Sequence, residues 1–242
     1  MDGSGLLEPA ALDGRRLLVA ATSDWFRPVA HCPGWDTAEL VRHTGTILEW
    51  MTAVVTAGQP VSFGTAPAAL ADLYDWYADN LDRCLRVLAD ADPDASVWTF
   101  SSLGDHRVAW WRRRLAVELA IHRWDAEHAV ATDATSGPAP LNGAVAAAGI
   151  EEFVTEFLPG LLTRATGQRP SGTLHLHMRD DDTDRWIDLD NPADVVAGYG
   201  GAAIKIDGTR SDILLWMTHR DPDSLTVLGE RAALNGWIEL RR

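Results

Sequence analysis

The sequence predicts an α+β protein: an up-down four-helix bundle over residues 1–165, followed by a small α+β domain over 166–242. Three observations predict this. Long amphipathic stretches of helical period recur up to Leu162. The segment "RATGQRPSG" (164–172) is rich in helix breakers and marks a change of period. Beyond it, short runs alternate with period two, as half-buried strands do.

Each element can be justified in order. From Leu6 to about Phe26 the pattern is amphipathic, with an expected interruption near Pro9, and this helix is either a bundle member or a brace. "DTAELVRHTGTILEWMTAVVTAG" opens with Asp36 three residues before Glu39, resembling a capping box, and stops at Gly58. Leu40, Thr44, Ile47, Leu48, Met51, Val54 and Val55 form its apolar stripe. "ALADLYDWYADNLDRCLRVLADAD" repeats the pattern through Leu70, Leu73, Tyr77, Leu81, Cys84, Leu85 and Leu88. A helix is expected from Arg107 to about Ala131, and another from Leu141 to Leu162, separated by "TDATSGPAP" (132–140). Moderate loops between long helices make a bundle. In the second domain "GTLHLHM", "RWIDLD" and "AAIKIDG" read as strands, the last after a Gly-rich turn. "TRSDILLWMTH" reads as a helix, "DSLTVLG" as a short strand and "ERAALNGWIEL" as a closing helix.

Composition narrows the function. The chain has 242 residues, 46% of them apolar, enough for a core that needs no disulfides. A net charge of −14 argues against nucleic acid or an anionic membrane as partner, since both demand clustered Lys and Arg. Two cysteines, Cys32 and Cys84, form neither a disulfide framework nor a CxxC pair. The N-terminal stretch lacks the pattern of a signal peptide, so a cytoplasmic protein is expected, as monomer or homodimer.

The chemistry centres on "LAVELAIHRWDAEHA" (115–129), where Leu115, Glu118, His122 and Asp125 share one helical stripe. Glu118 and His122, four apart, emerge on one face with Cβ atoms about 6 Å apart. A buried ionised carboxylate is costly unless paired or metal-bound. The pair is therefore either a satisfied core couple or part of a metal site. His43, on the flank of its own helix's apolar stripe, offers a second imidazole to the bundle interior. Two His and one carboxylate make an open three-ligand set; Asp125, one turn past His122, could orient that imidazole. A polar core network without metal uses the same residues.

Several segments carry a resemblance. "CPGWDTAELVRHTG" and "ELAIHRWDAEHA" in the first domain, with "GTLHLHMRD", "GTRSDILLWMTHRDP" and "VLGERAALNGW" in the second, resemble the mycothiol-dependent maleylpyruvate isomerase family in order and spacing. That family combines a DinB-like metal-binding bundle with a small domain similar to the sterol-carrier type. The resemblance implies zinc held by His43, Glu118 and His122, and mycothiol, a cysteine-containing sugar thiol, as co-substrate. It implies a metal-activated thiolate that adds to an electrophilic small molecule, giving cis–trans isomerisation or S-transfer. Arg220 matches a family arginine at the end of a second-domain helix and is the expected catalytic clamp for a substrate carboxylate. The competing role for Arg220 is an ion pair with Asp221 or Asp223. A non-catalytic module that binds metal or thiol, as a carrier or sensor partner, would keep the same ligands.

Other candidates point to structure. His175 and His177 alternate on a strand, and a solvated or interdomain face is expected for them, opposite Leu174, Leu176 and Met178. Cys32 is expected as a buried small hydrophobe. Trp35 and Trp111 are the aromatic residues expected near the site.

Overall fold

A computed structural model describes residues 3–132, 137–191, 201–222 and 224–240. The Gly-rich turn expected before the third strand, part of the 132–140 connection, and Asp223 lie outside the described residues. The chain divides into two compact units, Met1–Val145 and Ala146–Arg242.

The first unit is a four-helix bundle of α1 (Leu7–Ser23), α2 (Thr37–Ala57), α3 (Leu70–Asp90) and α4 (Val108–Val130), in which α1 packs chiefly on α4 and α2 on α3. The N-terminal helix is thus a full member. It runs through Pro9 without the expected interruption, because a proline in the first turn gives up an N–H that has no intrahelical partner. Asp36 caps α2 by accepting from the Glu39 N–H at 2.8 Å, and Gly58 ends it at φ 69° with its N–H on the Val54 carbonyl. Leu17, Leu40, Leu48, Leu73, Trp111 and Leu115 are completely buried between the helices.

One buried charge network ties α1 to α4. The Arg123 side chain is 1% exposed and donates to Asp13 Oδ1 at 3.1 Å, Glu127 Oε2 at 2.9 Å, the Pro140 carbonyl at 3.0 Å and the Ala139 carbonyl. Burial pushes the Asp13 carboxyl above its ordinary range, and Arg123 only partly offsets this.

The helix expected over Leu141–Leu162 is broken in kind. Asn142 caps α5 (Gly143–Glu152) by accepting from the Ala144 and Val145 N–H groups at 3.0 and 3.2 Å. A π-helical turn, Phe153–Phe157, then leads into α6 (Leu158–Arg164). Pro159 has no N–H to give the Thr155 carbonyl, and the wider turn, with the Leu158 N–H on the Phe153 carbonyl, carries the chain past that gap. The sequence expectation divided the chain at 165/166, whereas the compact units divide after Val145. Phe153 is the physical reason: its ring lies 6.3 Å from Trp237, which stacks on Trp216 at 4.7 Å in the second unit's core.

The second unit carries a sheet of order β2-β1-β3-β4, built from β1 (Thr173–Met178), β2 (Thr183–Asp188), β3 (Ile204–Gly208) and β4 (Thr226–Gly229). β1 pairs antiparallel with β2 and parallel with β3, and β3 pairs antiparallel with β4. Leu174, Leu176, Ile204 and Ile206 are fully buried on one face, against which α7 (Arg210–Met217) packs. α8 (Arg231–Leu240) closes the unit, and Gly236 lets it approach the backbone at Arg169–Pro170, where a Cβ would meet main-chain atoms at 2.4–2.8 Å. Among the described residues, no helix is long and apolar enough to cross a membrane.

Candidate metal centre

The bundle brings His43, Glu118 and His122 together. α2 presents His43 and α4 presents the other two, so two helix faces meet at one point. Glu118 Oε1 lies 3.2 Å from His43 Nε2 and 3.2 Å from His122 Nε2. The two imidazole rings stand 5.2 Å apart and nearly perpendicular, at 77°. The other Glu118 oxygen accepts from Arg114. Asp125, whose side chain is fully buried, accepts from His122 Nδ1 at 3.0 Å. That bond holds His122 in the tautomer that leaves Nε2 aimed at Glu118. Trp35 leans on His43 with ring centroids 4.8 Å apart.

Charge in this cluster is tightly coupled. Burial alone would raise the Glu118 carboxyl, but Arg114 and then His122 overcome it and hold it well below its ordinary range. Burial likewise opposes charge on His122, yet Glu118 and the Asp125 hydrogen bond raise it well above the ordinary imidazole value. Glu118 therefore stabilises the metal-free fold above pH 4.5, a contribution lost as pH falls through its lowered pKa. His122 contributes fully below pH 6.5, and that contribution is lost as pH rises through its raised pKa. Metal-free protein is thus expected to lose thermal stability above pH 6.5. Zinc-loaded protein should not, since ligation takes the neutral imidazole. Melting curves of both forms from about pH 5 to 9 check this.

The residues fit a divalent ion. Ligand atoms of His43, Glu118 and His122 all lie within 4.8 Å of one another. A tetrahedral zinc with bonds near 2.0–2.1 Å sets its ligands about 3.3 Å apart, close to the two Glu118–imidazole distances. Two imidazoles and a carboxylate are zinc donors, and three protein ligands leave a position open. Beside His43 a cleft of about 510 Å³ is lined by Trp35, Glu39, Arg42, Thr46, Ile47 and Phe63 among others.

The other expectations divide. Arg220 belongs to the second unit, just past α7; it is 9% exposed, its N–H donates to the Leu215 carbonyl at 2.8 Å, and its guanidinium donates to the Thr218 carbonyl. Trp35 stands at the site as expected. Trp111 instead joins an aromatic cluster with Trp50 and Trp98, donating from Nε1 to the Trp98 carbonyl at 2.9 Å. His175 is not on a solvated face: it is 9% exposed, stacks on its cross-strand neighbour Trp186 at 3.9 Å and shares Asp184 with His177. Cys32 is not a simple buried hydrophobe either. It is half-buried, with Sγ 3.9 Å from Asp125 Oδ2. Arg114 is a site residue absent from the sequence expectations; its i, i+4 spacing from Glu118 is the signal that marks it.

Comparison with known proteins bears on this arrangement. A family model described as the mycothiol maleylpyruvate isomerase N-terminal domain matches residues 7–127. The crystal structures of the mycothiol-dependent maleylpyruvate isomerase and of its histidine-to-alanine mutant each match with a TM-score of 0.61 at 16% identity, covering 94% of both chains. No curated protein sequence matches. At that identity the solved structures speak for the fold: a helical N-terminal domain followed by a small α+β domain. The family model spans half of the chain and takes in all three candidate ligands. The chain belongs to the mycothiol-dependent maleylpyruvate isomerase family, a family of enzymes.

Proposed function

We propose that this protein is a zinc-dependent, mycothiol-using enzyme acting on a small, anionic electrophile by cis–trans isomerisation or S-transfer. The convergence of His43 Nε2, His122 Nε2 and Glu118 Oε1 carries the reading. His43, Glu118 and His122 would hold the ion, with Asp125 fixing the His122 ring. When bound, zinc supplies the positive charge that keeps a thiol as its nucleophilic thiolate at neutral pH.

The chain's own groups do the rest. Arg114 neutralises the Glu118 oxygen that faces away from the imidazoles and holds the carboxylate in one rotamer. Trp35 and Ile47 give the cleft beside His43 an apolar lining. Arg220 is proposed to hold a substrate carboxylate in a bidentate fork and to stabilise negative charge that develops on addition of the thiolate. In an isomerisation, addition turns the cis double bond into a single bond, rotation follows, and elimination returns the thiol. In an S-transfer the adduct is released. A cytoplasmic location fits a low-molecular-weight thiol as co-substrate. The alternative is a carrier or sensor module that binds metal and thiol without turnover.

Incubation of zinc-loaded protein with mycothiol and maleylpyruvate tests this. Thiol-dependent appearance of fumarylpyruvate identifies an isomerase, and a stable thioether identifies a transferase. Binding of thiol without either product contradicts the enzymatic reading. Arg220→Lys keeps the charge but loses the fork, and is expected to lower kcat/KM for an anionic electrophile roughly tenfold or more.

A further inference from the structure

Behind the three ligands stands a second group. Cys32, His122 and Asp125 each offer a ligand atom, and these atoms lie within 4.8 Å of one another. Asp125 Oδ2 is 3.0 Å from His122 Nδ1 and 3.9 Å from Cys32 Sγ. Cys32 comes from the turn before α2, where its N–H bonds to the Val29 carbonyl at 3.1 Å and its own carbonyl accepts from the Trp35 N–H at 3.0 Å. That turn brings the sulfur to 3.9 Å from Asp125 Oδ2 on α4. The Asp125 side chain is fully buried, and the His122 side chain is 11% exposed.

We propose that Cys32, His122 Nδ1 and Asp125 form a second cation position, selective for thiophilic divalent ions, on the opposite side of the imidazole from the His43–Glu118 position. A thiolate, an imidazole nitrogen and a carboxylate are a donor set for zinc, cadmium or cobalt, and the sulfur favours the softer ions. Ideal ligand spacings around such an ion are about 3.3–3.6 Å, so the Cys32–Asp125 distance needs to close by only a few tenths of an ångström. The thiol gives up its proton on binding. A neutral imidazole has one lone pair, so His122 serves one position at a time. Given the His43–Glu118–His122 reading, a soft ion held through Nδ1 withdraws Nε2 from the first position and acts as an inhibitor.

The test uses full-length protein carrying His43→Ala, in which the first set is already broken, stripped of metal and titrated with cadmium. The expected result is one cadmium per chain with a thiolate-to-metal charge-transfer band in the ultraviolet. That band should be absent from His43→Ala/Cys32→Ser and weakened in His43→Ala/Asp125→Asn. Far-ultraviolet circular dichroism confirms that each variant keeps its helices. Absence of the band in folded His43→Ala, or its persistence without Cys32, overturns the proposal. Zinc missing from the wild-type chain would instead count against the His43–Glu118–His122 reading and leave the cadmium result standing.

Discussion

Glu118→Gln is expected to weaken zinc binding by more than about 100-fold and to bring thiol-dependent turnover to background. Loss of a partner that merely orients a ligand already costs about 10–100-fold in affinity, and Glu118 is proposed as a ligand itself. One of its oxygens faces both imidazoles at 3.2 Å while the other receives Arg114. An amide of the same shape keeps the packing but removes the negative charge that offsets Arg114 and the ion. It also places an N–H₂ group against either the guanidinium or the imidazoles. Competition with a chromophoric chelator measures the affinity. An unchanged affinity would mean that zinc binds elsewhere.

Arg123→Met is expected to destabilise the bundle by about 3–5 kcal/mol, because it strips one partner from a buried charge network. Methionine fills much of the volume but leaves Asp13, Glu127 and the carbonyls of Ala139 and Pro140 without their shared donor. Asp13→Asn should cost less. Burial raises the Asp13 pKa above 3.8 in the folded chain, so its contribution is fully present below that pH and is lost as pH rises through the raised value. A permanently neutral side chain at Asp13 therefore sacrifices little at neutral pH. Urea midpoints for loss of helicity compare the two variants, and equal midpoints would refute this ordering.

The legible parts of the fold and site are those with a strong local period. The α2 cap and stop, written in Asp36, Glu39 and Gly58, appear where expected because each satisfies a backbone group within its own turn. Glu118 and His122 are legible because i, i+4 spacing puts them on one helix face, and His43 because it flanks the apolar stripe of α2. What escaped depends on contacts distant in sequence. Cys32 looked like an ordinary apolar residue, since nothing near it shows that Asp125 lies 3.9 Å away. His175 reads in the sequence as lying on a solvated or interdomain face, because only the register of β2 places Trp186 over its ring. The π-helical turn at Phe153–Phe157 was hidden in an otherwise good helix, although Pro159 was the available warning. Arg114 is obscured for another reason: it is one of three consecutive arginines, of which the i, i+4 partner of Glu118 meets its carboxylate.

Metal content tests the central claim most directly. Protein produced without a metal-affinity tag and purified without chelators should carry about one zinc per chain by elemental mass spectrometry, since a three-ligand site holds a single ion. In a Cys32→Ser background, which removes a donor of the second position, zinc should stay near one per chain, and adding His43→Ala, with the fold checked by circular dichroism, should reduce it to almost none. Wild-type protein free of metal, or zinc retained in full by His43→Ala/Cys32→Ser, would contradict the account.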